Sequence, residues 1–397
     1  MKNVVIIGAG YSGIWTAEHL AKKLKGKRGV KITIIDKKPY HLMKTEIHEV
    51  ATGRAKAKNI SFNLKKVLKR FKNINVVLDE VTDVNLRKKE VIGKKDKYKY
   101  DYLVISAGSK PTYFGIPGAE ENTMPFWTLD DALAIKEELS KAIKAKKPLK
   151  IYVIGAGLTG VEIAGELGEL SKKYKDISVV EIDACAHALP NFPEKVSVKT
   201  EQILESQGVE LRFNTKVLKV QKNSLELETN GKTECVNADI IIWSAGITAN
   251  TVTDQLKTGK AGRIEENKYL QSVTDKNVYV VGDNMWYIPK KKTSSVLQMV
   301  ENCEQSGATC ANNIAHEITG KGKKKAYIPH LHGALVSIGN TKGIAYAGVD
   351  AFKFILPSPL AQLAKRGIFI FYLAQVVPLR MLPKIVINEL YTPRKYI

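Results

Sequence analysis

One glycine pattern occurs twice in this chain, and little else in the sequence restricts the fold so tightly. Gly8-Ala9-Gly10-Tyr11-Ser12-Gly13 near the start recurs as Gly155-Ala156-Gly157-Leu158-Thr159-Gly160 near the middle. An apolar run precedes each copy, Val5-Ile6-Ile7 and Tyr152-Val153-Ile154. Apolar residues at helical spacing follow each, Ile14, Ala17, Leu20 and Val161, Ala164, Leu167. In such a strand–turn–helix unit, the first glycine permits a tight turn. The second lets the backbone approach a pyrophosphate, and the third lets the helix pack close to the strand. The pyrophosphate then meets free N–H groups and the favourable end of the helix dipole. A second apolar strand after each helix ends in an acid, Asp36 and Asp183. Both acids lie 23 residues beyond the third glycine (13 to 36, 160 to 183). A single pattern is weak evidence; two in the same context with the same offset are strong.

Gly8, Gly10, Gly13 and Asp36 are therefore expected to hold one dinucleotide, and Gly155, Gly157, Gly160 and Asp183 another. Each Asp should accept from adenosine ribose hydroxyls. Asp183 also repels a 2′-phosphate, and no Arg or Lys occurs between it and Lys195 to pair with one. NADH is thus favoured over NADPH. Two further apolar strands end in glycine, at Ala107-Gly108 and at Ala245-Gly246, and each would close one unit. A later strand, Val278-Tyr279-Val280-Val281-Gly282-Asp283, returns to the first unit and precedes a helix expected from Thr293. An Asp at that strand end can bond the ribityl chain of a flavin; an N-cap or turn Asp is the competing reading. The expected architecture is α/β, with two Rossmann-like dinucleotide-binding domains. A split FAD domain covers residues 1–112 and 245–330, an NADH domain is inserted at 113–244, and residues 331–397 form a separate C-terminal region.

With 62 Lys and Arg against 40 Asp and Glu, the 397-residue chain has a formal net charge of +22. Such a balance suits a polyanionic partner or surface. No basic segment interleaved with aromatics is present, so no nucleic-acid partner is expected. The four cysteines, Cys185, Cys235, Cys303 and Cys310, have no metal-site spacing, and a reducing compartment is the default. The first strand starts almost at Met1, so no cleavable leader is expected. The apolar stretch Gly367 to Leu379 is about half a bilayer span, and no transmembrane helix is expected.

These residues together resemble the two-dinucleotide-binding-domain flavoproteins, and within them the type II NADH:quinone oxidoreductases. The resemblance covers nearly the whole chain. It rests on the N-terminal fingerprint, Val50-Ala51-Thr52-Gly53, Ala107-Gly108-Ser109, Gly155 to Leu167, Trp243-Ser244-Ala245-Gly246, Val281-Gly282-Asp283 and Leu363-Ala364-Lys365-Arg366. It implies that NADH reduces FAD and that the reduced flavin passes electrons to a membrane quinone. It places Ala107, Gly108, Gly246, Gly282 and Asp283 among the cofactor-binding residues. By the same resemblance Glu162 is a candidate for orienting NADH or moving protons; a helix-start acid serving the macrodipole is the competing reading. Lys365 matches a family lysine near flavin and quinone, with a snorkelling surface lysine as the alternative.

The family's glutamine-rich quinone helix is altered here. Gln305 matches, but Glu301 and Ser306 stand where the family has glutamines. Glu301 and Gln305 share a helix face and could still present polar atoms to one headgroup; a solvated i,i+4 pair is the competing reading. The departure leaves room for another acceptor, as in sulfide:quinone oxidoreductases, or for an NADH-sensing flavoprotein that binds a partner. Residues 360–397 carry six Lys and Arg and one acid. Lys365, Arg366, Arg380 and Lys384 flank an apolar run there, the composition of an interfacial membrane helix, with a core or dimer-interface helix as the alternative. The expectation is a homodimer lying peripherally on the anionic cytoplasmic face of the cell membrane.

Overall fold

The computed structural model describes residues 1–290, 292–349, 352–378, 382 and 396–397. Its frame is two five-stranded parallel sheets of the same design. In the first, β1 (Lys2–Ile7) leads through α1 (Tyr11–Lys23) to β2 (Val30–Asp36). A short helix α2 (Ile47–Ala51) follows, then β3 (Ile74–Leu78) and β4 (Tyr102–Ile105). After α3 (Leu129–Ala145) the second sheet repeats the plan, with β5 (Leu149–Ile154), α4 (Leu158–Lys173) and β6 (Ile177–Ile182). It continues through α5 (Glu194–Ser206), β7 (Val209–Arg212) and β8 (Ile240–Trp243). The returning strand β9 (Val278–Val280) completes the first sheet, in the order β9-β4-β1-β2-β3. In the second, the two-residue strand Met124–Pro125 takes the place of β9, followed by β8-β5-β6-β7.

The duplication extends further than the glycines. Each unit has a three-stranded antiparallel sheet before its closing strand, residues 81–99 in one and 215–237 in the other. The parallel strands are β-branched runs such as Val4-Val5-Ile6 and Ile32-Thr33-Ile34-Ile35, buried as sheets covered on both faces require. A two-stranded link, Ser109–Pro111 with Ile247–Ala249, joins the crossings between the units.

The helix α6 (Val300–Thr319) lies on α1, close enough that a Cβ on Gly307 would sit 2.9 Å from the Ser12 carbonyl. It begins seven residues later than the sequence suggests. The stretch before it is tied down by hydrogen bonds to other segments, with Val296 N–H donating to Tyr287 and the Val296 carbonyl accepting from Arg263. Beyond it an antiparallel sheet, β10 (Gly333–Ile338), β11 (Lys342–Val349) and β12 (Phe352–Leu356), leads to α7 (Ser358–Val376). α7 packs on β10 and β11, and β10 packs in turn on α4. Gly165 permits the latter contact, since a Cβ there would lie 2.6 Å from Ile338. Among the described residues no helix is long and apolar enough to cross a membrane.

Candidate functional site

Both glycine turns have the geometry of phosphate cradles. Gly8 and Gly155 take φ of +95° and +101°, open to glycine and strained for other residues. A Cβ on Gly13 would lie 1.9 Å from the Gly8 carbonyl oxygen, and one on Gly160 would lie 1.7 Å from that of Gly155. By contrast, among the described residues a Cβ on Gly10 or Gly157 would meet nothing within 4 Å. These two glycines are the N-caps of α1 and α4; neither helix has an acid in its first turn, and among the described residues neither has a side-chain cap. Each turn therefore opens on free space with uncapped N–H groups, which fits a pyrophosphate.

The two acids do more than the sequence suggests. Asp36 accepts from Ala9 N–H at 2.7 Å and Lys38 N–H at 2.8 Å. Asp183 repeats this with Ala156 and Cys185, both at 2.7 Å. Each carboxylate braces its own glycine turn, and any ribose contact uses its remaining lone pairs. Burial pushes the Asp36 carboxyl upward, against those two bonds.

Gly108 N–H donates to Asn284 at 2.9 Å, and the Ala107 carbonyl accepts from Asn250 at 2.8 Å. Asp283 accepts from Ser109 Oγ at 2.5 Å. Gly282, at φ +65°, donates its N–H to Ser306 Oγ at 3.1 Å, and a Cβ there would lie 2.5 Å from Ser12 Oγ. Ser306 is fully buried, so it fastens the turn that presents Asp283 and offers nothing to a headgroup. Gly246, at φ +69°, leaves no room for a Cβ beside Phe114.

Between the two units, four elements bring their polar side chains into one buried ring. Glu162 comes from α4, Lys365 from α7, Ser337 from β10 and His48 from α2; none is more than 9% exposed. The Lys365 ammonium donates to Glu162 Oε1 and, at 2.9 Å, to Ser337 Oγ. Ser337 Oγ lies 2.9 Å from His48 Nε2, and His48 Nδ1 lies 3.5 Å from Glu162 Oε2. Burial pushes the Glu162 carboxyl upward despite Lys365. Burial also opposes the Lys365 ammonium, but Glu162, Glu46 and Glu49 outweigh it and raise that group above the ordinary lysine value. A lysine turned inward to such a ring is not snorkelling, and Glu162 lies in the second turn of α4 instead of at its start. The ring can hold and pass a proton among four groups. Sequence reasoning found Glu162 and Lys365 but missed His48 and Ser337.

One turn further along α4, Glu166 has a structural partner. Arg54 grips it through two nitrogens, reaches Glu49 at 2.9 Å and Asn340 at 3.2 Å, and is itself buried. Glu46, His48 and Glu49 stand close enough together to suit a metal ion. Arg54 and Lys365 already supply positive charge there, so the cluster works as part of the charge network. Arg54→Met would leave two carboxylates without their guanidinium, at an expected cost of about 3–5 kcal/mol. Urea denaturation checks this, and a loss under about 1 kcal/mol would contradict the account.

The Glu301–Gln305 face is engaged too. His332 bonds Glu301 through both its ring and its backbone N–H, while Gln305 exchanges two hydrogen bonds with the backbone of His330, at 2.7 and 2.9 Å. The pair clamps the segment entering β10. The expectation that both present polar atoms to a headgroup is thus corrected in part. Cys303 and Cys310 are buried on α6, and burial pushes both thiols well up; Cys185 and Cys235 are exposed. On α7, Leu360, Leu363, Ile368 and Phe371 point outward, each more than half exposed. Of the expected basic flanks, Lys365 faces inward and Arg366 bonds Asn340. Arg380 and Lys384 lie outside the described residues.

The family model described as pyridine nucleotide-disulphide oxidoreductase matches residues 2–307. Among curated proteins the chain is similar to a type II NADH:quinone oxidoreductase of Staphylococcus aureus, 28% identical over 86% of this chain and 89% of that one. Among solved structures it is similar to NDH2 of Plasmodium falciparum in complex with NADH, with a TM-score of 0.85 at 18% identity, covering 100% of this chain and 99% of that one. It is also similar to the sulfide:quinone oxidoreductase of Aquifex aeolicus, with a TM-score of 0.79 at 22% identity, covering 98% and 96%.

Proposed function

The chain belongs to the pyridine nucleotide-disulphide oxidoreductase family, and from that footing we propose that it oxidises NADH through bound FAD and reduces a membrane quinone. The observation that carries the proposal is the pair of open, uncapped glycine cradles on two sheets of one design. The name of the Staphylococcus aureus relative supports the electron acceptor. FAD is assigned to the unit formed by 1–112 and 245–330, where Asp283 meets the first cradle. NADH is assigned to 113–244, where Asp183 disfavours a 2′-phosphate. Residues 331–397 are assigned to the quinone and the membrane.

FAD, when bound, supplies the two-electron redox chemistry; the chain supplies position, exclusion of water and protons. Reduction of a quinone to a quinol consumes two protons. Lys365 is the proton-holding group assigned to that step, with Glu162, Ser337 and His48 holding and replacing its proton. Glu301 and Gln305 shape the rim of the slot by fixing residues 330–332. The sulfide-type alternative asks for reactive thiols, and the raised, buried Cys303 is a poor nucleophile. Anaerobic mixing of the purified protein with NADH should bleach the flavin, and a menaquinone or ubiquinone analogue should restore its colour. A flavin that NADH bleaches but no quinone reoxidises would remove the acceptor assignment.

The outward stripe of α7, with exposed Phe352 and Phe354 on β12, is assigned to the membrane surface. Burying one such side chain contributes about 1.5–3 kcal/mol. Replacing Leu363 and Phe371 together by Ser should therefore weaken binding to anionic vesicles at least about tenfold, with flavin content unchanged. Equal sedimentation of variant and parent with vesicles would refute the assignment.

A further inference from the structure

Lys44 has no part in the reading above, yet its neighbour Thr45 meets the first turn of α1, with its hydroxyl 3.4 Å from that of Tyr11. Lys44 opens the 3₁₀ turn Lys44–Glu46 and is half-buried. Its ammonium lies 3.8 Å from the centre of the Trp127 ring. That ring is held from behind. The indole Nε1–H donates to the Ser109 carbonyl at 2.6 Å, and the Trp127 backbone N–H donates to Asp131 at 3.1 Å. Ser109 Oγ in turn bonds Asp283. Ammonium, indole, Ser109 and Asp283 thus form one wall at the carboxyl ends of β4 and β9, the edge where open α/β sheets take their ligands.

Among the described residues no acid lies within ion-pair distance of Lys44, unlike Lys365, which Glu162 neutralises. Burial pulls its pKa down to about 8, while Asp283, Cys303 and Asp131 pull the other way. A cation seated on an indole face contributes about 0.5–2 kcal/mol. That seat holds the charge in place and leaves it available to a ligand in the cleft.

We propose that Lys44, seated on Trp127, sets the reduction potential of the bound flavin. The inference rests on the reading that FAD occupies the first cradle. NADH gives up a hydride, two electrons with one proton, to neutral FAD; the products are NAD⁺ and a reduced flavin carrying one negative charge near neutral pH. A fixed cation beside the flavin favours the charged product over the neutral reactant, and charge near the ring is one way a protein tunes this cofactor. Lys44 is a positioning and tuning residue, not a proton donor.

The test is a reductive titration of the flavin-loaded protein against a reference dye. Lys44→Gln should shift the oxidised-to-reduced equilibrium about tenfold toward the oxidised form, ~30 mV to lower potential for a two-electron couple. Lys44→Arg, which keeps the charge, should stay near the parent. Trp127→Leu, which unseats the ammonium, should shift in the same direction by less. A flavin-bound Lys44→Gln protein at the parent potential overturns the proposal alone. So does a Lys44→Arg shift as large as that of Lys44→Gln, which would make shape the cause. If Lys44→Gln sheds part of its flavin, the fraction still bound must show the lower potential, or the proposal falls. A parent protein that binds no flavin removes this proposal together with the reading beneath it.

Discussion

Exchanging Lys365 for Met is expected to slow quinone reduction about a hundredfold or more, the scale of a lost general acid, while flavin reduction by NADH stays within a few-fold. Hydride transfer needs the two rings held together and no protonic side chain. Quinol formation needs protons in a place that water does not reach, and the buried ring is such a place. Glu162→Gln should give the same split with a smaller effect, because Lys365 keeps its bond to Ser337. Each single variant also breaks a buried ion pair, at a cost of about 3–5 kcal/mol. The double variant Glu162→Gln, Lys365→Met should regain stability without regaining quinone turnover. Stopped-flow spectroscopy separates the half-reactions. Equal slowing of both would mean that Lys365 shapes the nicotinamide pocket, and the proton assignment would be lost.

Local pattern was enough to locate the cradles, because a glycine turn between a strand and a helix is specified within about a dozen neighbouring residues. Gly8, Gly10 and Gly13 stand where that pattern puts them, and so do their counterparts. The ring behaves differently. Its members come from positions 48, 162, 337 and 365, and no spacing in the chain relates a His in a five-residue helix to a Ser in a late strand. Glu301 and Gln305 share one helix face, as their spacing requires, but their partners, His330 and His332, are a chain reversal away. Periodicity reports which residues share a face and not what meets that face. Asp36 and Asp183 show a third limit. Their spacing identifies an acid at the strand end, while the N–H groups they brace become apparent only once the turn closes.

Glu181→Met is expected to stabilise the unit built on the second sheet, and more so as pH rises. Glu181 sits on β6 beside Val153 and Leu211 and is completely buried, and among the described residues neither of its carboxyl oxygens has a hydrogen-bond partner. Burial pushes its pKa well up, and Asp183 and Glu201 add to the rise. In an unfolded chain a glutamate has a pKa of about 4.3. Below that pH the group is neutral in both states and costs only its missing hydrogen bonds, about 1–3 kcal/mol. Above it the unfolded chain releases a proton that the folded chain retains. Stability is then lost with rising pH, by up to about 1.4 kcal/mol per unit, until the folded pKa is passed. Two substitutions separate these costs. Glu181→Gln abolishes the charging and should flatten the pH dependence while keeping buried polar atoms unsatisfied. Glu181→Met removes both penalties. Denaturant midpoints at pH 5.5 and 8.5 test the sign, since the gain from Met must be larger at the higher pH. A gain that is equal at both, or a loss at either, would mean that Glu181 has a partner in solution.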